Sequence, residues 1–328
     1  MPESPLLIVR RLVVRYPVPR LMLWRARHWR NAVDGVDFNL HAGETLGIVG
    51  ESGCGKSSLA RALLGLQPIA SGAAIFNGTD LARLDKNGWK PLRRDVQMVF
   101  QDPIASLDPR MRVGKLIEQP LTALRPDIAK AERANRIAAV LERVGLSAGD
   151  MQRSVQEFSG GQCQRIGIAR ALVVEPRLLV CDEPVSALDV SVQAQVINLL
   201  HELQRDLGLA MLFIAHDLAV VRQIARRVLV MYAGTVMEQA AREPLFAQPM
   251  HPYTRDLLAA VPGQSGPAPV STLKAEARPV DDQTQALGCR YRVRCAVADD
   301  YCGQSVPPLR RVAAEQFAAC HFAAPAPG

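Results

Sequence analysis

Residues Gly50 to Ser57 read GESGCGKS, three glycines with a lysine and a serine in one short stretch. An apolar run of strand character, Glu44 to Gly50, leads into it. The segment Ser57 to Leu66 leads out with leucines at 59, 63, 64 and 66, a helical spacing. Strand, glycine turn and helix in that order restrict the chain to an α/β fold of the phosphate-loop type. Glycines 50, 53 and 55 let backbone N–H groups turn inward without Cβ clashes, and the helix starting near Lys56 presents about half a positive charge to an anion. Lys56 adds a full charge between β- and γ-phosphates, and the Ser57 hydroxyl is a hard oxygen ligand suited to Mg²⁺. Gly50, Ser52, Gly53, Cys54, Gly55, Lys56, Ser57 and Ser58 are thus the expected ATP cradle.

Two further segments complete a chemistry. Arg177 to Asp182, RLLVCD, reads as a buried strand ending in an acid, with Glu183 and Pro184 next. Asp182 at the strand end is placed to hold Mg²⁺. Glu183, one residue on and pointing the other way, is the expected base for attack of water on the γ-phosphorus. In FSGGQ (Phe158 to Gln162), Ser159 is an expected helix N-cap, Gly160 and Gly161 form a close-approach surface, and the helix predicted over Gln162 to Val173 offers a second set of N–H donors. One chain already has a complete cradle, so the second set is expected to serve a nucleotide held by another subunit.

With these motifs in this order, about residues 6 to 260 resemble the ATP-binding-cassette ATPases. The resemblance implies that Gln101, in MVFQDP, contacts Mg²⁺ and a membrane partner. It implies that Asp189 joins Ser159, Gly160, Gly161 and Gln162 at the ATP of the opposite subunit, that His216 senses the γ-phosphate, and that Tyr16 stacks on adenine. Catalysis would fall to Glu183, His216 and Lys56, and Mg²⁺ to Ser57, Gln101 and Asp182. The chemistry agrees: a neutral oxygen ligand, an imidazole ending the apolar strand Ala210 to Ala215, and a flat phenol face. Phe158 replaces a common Leu and Cys181 an aliphatic residue, and neither exchange removes a catalytic group.

Arg110 to Gln156 reads as amphipathic helices, one over KLIEQPLTAL and one with Ile137, Val140, Leu141 and Val144 on a face, which Asp127 is expected to cap and Gly145 to end. A polar loop is expected over Gln101 to Pro109. By resemblance this is the helical subdomain, about 102–158, that receives a transporter's coupling helix. The 328 residues allow one large α/β domain, 1–260, and an appendage, 261–328. No run approaches the roughly eighteen apolar residues of a membrane span, and no secretory pattern opens the chain, so a cytosolic protein reaching a membrane through partners is expected. Of the net charge of +7, residues 1–35 supply most, with seven arginines against Glu3 and Asp34. The basicity is local, and nucleic acid is not an expected partner. The cluster LMLWRARHWR (Leu21 to Arg30) suits either a membrane-surface or partner contact or a solvated basic insertion.

Past Val261 a Pro/Gly/Ser linker begins, and four of the seven cysteines follow, Cys289, Cys295, Cys302 and Cys320. A reducing cytosol disfavours disulfides, and the absence of CxxC disfavours a zinc ribbon, which leaves a metal centre or unliganded thiols. The stretches VCDEPVSALDVSVQAQV and HPYTRDLL, with GCRYRVRC and AACHF beyond, resemble the oligopeptide and dipeptide permease ATPases, most nearly the second ATPase of dipeptide permeases. That resemblance implies a structural [4Fe–4S] cluster on Cys289, Cys295, Cys302 and Cys320. It also implies a paralogous ATPase as dimer partner, two transmembrane permease subunits, an extracytoplasmic peptide-binding protein, and a place on the cytoplasmic face of the inner membrane. Related importers carry nickel or glutathione, and a soluble non-transport ATPase of the same superfamily is the more distant alternative.

Overall fold

The computed structural model describes residues 4–18, 28–260 and 287–323. Most of the Arg/Trp cluster, 21–27, and the linker fall outside the described residues. Strands β1 (Leu7–Pro17), β2 (Trp29–Leu40), β4 (Ser71–Phe76) and β5 (Thr79–Asp80) form an antiparallel sheet in the order β2-β1-β4-β5. The larger sheet contains β3 (Thr45–Val49), β6 (Val96–Val99), β7 (Leu178–Asp182), β8 (Ala210–Ala215), β9 (Arg227–Tyr232), β10 (Thr235–Ala241), β11 (Arg310–Ala313) and β12 (Gln316–Ala318). Its order is β11-β12-β10-β9-β3-β8-β7-β6, parallel from β9 to β6 and antiparallel on the other side.

The parallel strands read as unbroken apolar runs because both faces are covered. Their side chains alternate between two cores with a period of two. From β7, Leu178 and Val180 enter the core shared with the antiparallel sheet, while Leu179 and Cys181 enter the core under the helices. On β8, Ala210, Leu212 and Ile214 go one way and Met211, Phe213 and Ala215 the other. Burial pushes the Cys181 thiol far up, so this cysteine is an inert core residue.

Helix α1 (Lys56–Leu63) follows the phosphate loop, and α2 (Trp89–Asp95) precedes β6. Between β6 and α6 (Gly160–Leu172) the helices are α3 (Pro103–Ser106), α4 (Val113–Leu124) and α5 (Lys130–Arg143). The expected polar loop over Gln101 to Pro109 therefore contains one helical turn, capped by the Asp102 carboxylate on the Ala105 N–H at 2.9 Å. Asp127 does not cap α5; the N-cap is Ala129. The buried Arg125 guanidinium takes the Asp127 carboxylate at 3.0 Å, a forked charge-assisted contact stronger than one backbone bond. Gly145 does end α5, at φ +75°, with its own N–H on Glu142 O and the Leu146 N–H on Leu141 O.

Helices α7 (Val190–Leu207), α8 (Leu218–Ile224), α9 (Arg242–Ala247), α10 (Pro252–Ala259) and α11 (Asp300–Gln304) complete the described α-helices, and short 3-10 turns cover Leu81–Arg83, Ala148–Gln152 and Val155–Glu157. The start of α10 is fixed by a buried carboxylate: Glu238 on β10 accepts the N–H groups of Met250 and His251 at 2.9 Å each, and Gln316 Nε2 on β12 at 2.9 Å. His251 in turn caps α10, its Nδ1 accepting the Tyr253 N–H at 3.0 Å. Burial pulls the His251 imidazole down to about 4, so it stays neutral and can accept.

Gly47 lies in the middle of β3, where a Cβ would meet Val221 Cγ1 on α8 at 2.3 Å. Gly47→Ala is expected to destabilise the chain by about 1–3 kcal/mol through overpacking, and Val221→Ala in the same chain is expected to recover much of the loss. Thermal unfolding of the three variants checks this; a neutral Gly47→Ala would contradict the packing argument.

Candidate nucleotide site

Parallel sheets present their chemistry where the strands end, at the carboxyl edge. Four neighbouring strands each deliver a group there: β3 the phosphate loop, β8 His216, β7 Asp182 and Glu183, and β6 Gln101. The loop owes its path to backbone conformations an L side chain rarely adopts. Gly50 has φ +155° and a Cβ there would lie 2.1 Å from Met231 O; Gly55 has φ +108° and a Cβ would lie 2.1 Å from Ala32 O. Lys56, almost fully buried, arches back to donate to Gly50 O at 2.7 Å and Glu51 O at 3.0 Å. Cys54 is buried beside it, and burial raises the thiol despite the lysine, which makes it a lining residue and not a nucleophile.

Ser57 Oγ donates to Asp182 Oδ1 at 2.9 Å, so the two hard oxygens expected to share Mg²⁺ are adjacent. Burial pushes the Asp182 carboxyl up and neighbouring Glu183 adds to the shift, while the Ser57 hydrogen bond opposes it. A divalent cation suits such a buried carboxylate.

Glu183 is the hub. Its carboxylate accepts from Gln101 Nε2 at 3.0 Å and stands 3.9 Å from Lys56 Nζ and 3.7 Å from His216 Nδ1. Its backbone is left-handed, φ 47°, and its N–H is tied to Ile214 O at 3.0 Å. A glutamate in this conformation costs on the order of 1 kcal/mol, strain of the sort that gathers where a side chain must be aimed. Gln101, expected at Mg²⁺, faces this carboxylate and not the Ser57–Asp182 pair. Tyr16, on the other sheet, reaches the loop with its hydroxyl, 3.3 Å from Ser58 Oγ.

Ser159, Gly160, Gly161 and Gln162 stand apart from this group, at the start of α6, which packs on α3, α4, α5 and α7. The N-cap is a reciprocal box: Ser159 N–H donates to Gln162 Oε1 at 3.0 Å and Gln162 N–H to Ser159 Oγ at 3.4 Å. The helix therefore begins two residues before the predicted start. Asp189 caps α7, accepting from Val192 N–H at 3.0 Å and Ser191 Oγ at 2.7 Å.

Tyr253 and Arg294 reach the phosphate loop, a contact absent from the sequence expectations. Glu51 N–H donates to the Tyr253 hydroxyl at 2.9 Å, and the Glu51 carboxylate pairs with Arg294 at 2.7 Å. The HPY run and the arginines alternating between Cys289 and Cys295 were visible, but no local pattern ties either to a loop two hundred residues away. Around them, Cys289, Cys295, Cys302 and Cys320 line one cavity with Tyr291 and His321. Among the described residues no three His, Cys, Asp or Glu side chains converge as they would on a single metal ion.

The chain matches the family model described as ABC transporter over residues 33–186, and that of the oligopeptide/dipeptide transporter C-terminal region over residues 237–302. It is 48% identical over 294 residues to the oligopeptide transport ATP-binding protein OppF of Salmonella typhimurium, spanning 87% of this chain and 86% of that one. The chain belongs to the ABC transporter family. The OppF protein of Haemophilus influenzae is equally similar, 48% over 297 residues and 88% of each chain. Among solved structures, the fold is similar to a dimeric post-hydrolysis state of the ATP-binding cassette MJ0796 bound to ADP and Pi, with TM-score 0.64, 26% identity, and coverage of 72% of this chain and 98% of that one. As in the other cassettes of this family, the chain is an α/β ATPase that binds and hydrolyses ATP. Among the described residues no helix is long and apolar enough to cross a membrane.

The two glycines of FSGGQ differ in kind. A Cβ on Gly161 would meet Val192 Cγ1 of α7 at 2.4 Å, whereas one on Gly160 would meet its nearest neighbour, Leu188 Cδ2, at 3.7 Å. Gly161→Ala is expected to cost about 1–3 kcal/mol of stability and Gly160→Ala less than about 0.5 kcal/mol. Equal melting temperatures for the two variants would show that Gly161 is not a packing residue.

Proposed function

We propose that the chain is the ATP-hydrolysing subunit of an importer of di- and oligopeptides, working at the cytoplasmic face of the inner membrane. It would act beside a paralogous ATPase, two permease subunits and an extracytoplasmic peptide-binding protein. The observation that carries the reading is the convergence of Gln101, Lys56 and His216 on Glu183, next to the Ser57–Asp182 pair. The oligopeptide names of the relatives, and the match of the C-terminal region, support the cargo.

In this reading the loop from Gly50 to Ser58 holds the phosphates, Lys56 neutralises them, and Tyr16 offers its ring to the base. Ser57, Gln101 and Asp182 would hold Mg²⁺, which would supply neutralisation of phosphate charge. Glu183 takes the proton of the attacking water, and His216 keeps the carboxylate and the γ-phosphate in register. Ser159, Gly160, Gly161, Gln162 and Asp189 act on the ATP of the opposite subunit. Gly160 supports this assignment because nothing in its own chain requires a glycine there. ATP then favours the closed pair through contacts absent from the open one.

Glu183→Gln is expected to keep ATP binding, to lower hydrolysis by at least about a hundredfold, and to accumulate a nucleotide-bound dimer. Turnover at the parent rate would exclude Glu183 as the hydrolytic group; phosphate release and size-exclusion chromatography measure the two effects.

We read Cys289, Cys295, Cys302 and Cys320 as ligands of a [4Fe–4S] cluster, a group that takes four thiolates. Their thiols surround one cavity; burial is the first cause that raises Cys289, Cys295 and Cys302, neighbouring thiols add to the first two and Asp299 to the third, a cost that thiolate ligation to a metal removes. The group would supply a structural cross-link among segments with little other regular structure. Anaerobically purified chain is expected to carry iron and a broad visible absorption, both lost in Cys302→Ala. Colourless, iron-free protein from that preparation would reject the cluster.

A further inference from the structure

Glu51, the second residue of the phosphate loop, has each of its polar groups held from a different direction. Lys56 Nζ donates to its carbonyl at 3.0 Å, Tyr253 accepts from its N–H at 2.9 Å, and Arg294 pairs with its carboxylate at 2.7 Å. The first contact belongs to the loop itself, but the other two come from the HPY turn and the cysteine segment.

Neither outside group is free to swing. The Arg294 guanidinium lies over Tyr232 and Tyr291, 5.8 and 5.6 Å from the ring centroids. Tyr232, Tyr253 and Tyr291 pack mutually with centroids 4.8–5.2 Å apart, and Tyr253 is fully buried. Tyr291 is anchored by its hydroxyl to Asp256 on α10. A second arginine beside a cysteine, Arg290, bonds Asp34 on β2 and the Ala233 carbonyl, while the Gly234 N–H donates to Cys54 O of the loop at 2.8 Å. The loop is thus gripped at Glu51 by Tyr253 and Arg294 of the aromatic block, and at Cys54 by the β9–β10 turn that Arg290 holds.

We infer that Tyr253 and Arg294 are positioning residues for ATP: they fix the Glu51 peptide, and through its carbonyl the Lys56 ammonium, in the geometry that receives phosphates. This deepens the ATPase reading above and rests on it. Losing either contact lets the loop's entry relax and the lysine follow, so that nucleotide affinity falls without any residue of the cradle being changed.

The test is titration of the purified full chain with mant-ATP by fluorescence, with melting temperature recorded without nucleotide. Arg294→Ala and Tyr253→Phe are each expected to raise Kd by about five-fold, the worth of one partly buried hydrogen bond. Arg294→Lys is expected to restore part of the loss, and Glu51→Gln to mimic Arg294→Ala. The Glu51→Gln/Arg294→Ala double variant should bind no more weakly than either single one, because the pair acts as a unit. Folded variants with lowered melting temperature but the parent Kd would overturn the inference, leaving a merely structural contact, and so would single effects that simply add. If Arg294→Ala does not fold, Glu51→Gln reads the same contact from the loop side, and a parent Kd there overturns it equally. Failure of the parent chain itself to bind mant-ATP would instead overturn the ATPase reading.

Discussion

A single hydrogen bond, Ser57 to Asp182 at 2.9 Å, joins residues 125 positions apart, and the site is organised around it. It exists because β8 lies between β3 and β7, so both carboxyl ends open on one edge and His216 emerges between them. No local propensity sets that order. It follows from burying strands on both faces: β3, β7 and β8 have no polar side to turn to water, so they take the centre of the sheet, with shorter or half-exposed strands at its margins. Position in the sheet, and hence the proximity of Ser57, Asp182 and His216, follows from hydrophobicity along each strand.

That logic explains what the sequence could and could not reveal. The apolar runs at 45–49, 178–182 and 210–215 carry their own periodicity, so these strands are legible to within a residue, while the helical spacing read over Ser57 to Leu66 overruns α1, which ends at Leu63 before the left-handed Gly65. The groups that end those strands are legible too. Asp127 shows the opposite case: its suitability as a cap was real, but a buried arginine two residues away offered a stronger partner. The left-handed Glu183 was also illegible, since a strand pattern followed by DEP does not say that the backbone reverses there to bring the carboxylate to Gln101. Long-range partners that depend on which surfaces meet, such as Arg294 and Glu51, leave no trace in local patterning.

The start of α6 makes a related point about preorganisation. Its capping box is closed within the chain, so the turn at Ser159 forms without help, and Gly161 is accounted for by α7. A surface that is already ordered costs little further entropy on binding. Stability and function therefore divide between adjacent glycines: one is required by the packing of its own chain, and the other is left open.

The tail is bound into the same economy of buried polar groups. Glu238 lies in the sheet with its carboxylate out of water, a position tolerable only if its oxygens are fully engaged. The donors that satisfy it come from two places: the Met250 and His251 backbone, which begins the HPY turn, and Gln316 on β12. One carboxylate thus requires both α10 and β12, the strand between Cys302 and Cys320, to be in place, and α10 in turn presents Tyr253 to the phosphate loop. The described residues of β10, α10 and β12 are for this reason continuous with the phosphate loop through hydrogen bonds to buried polar groups, and each bond lost leaves one of those groups less well satisfied.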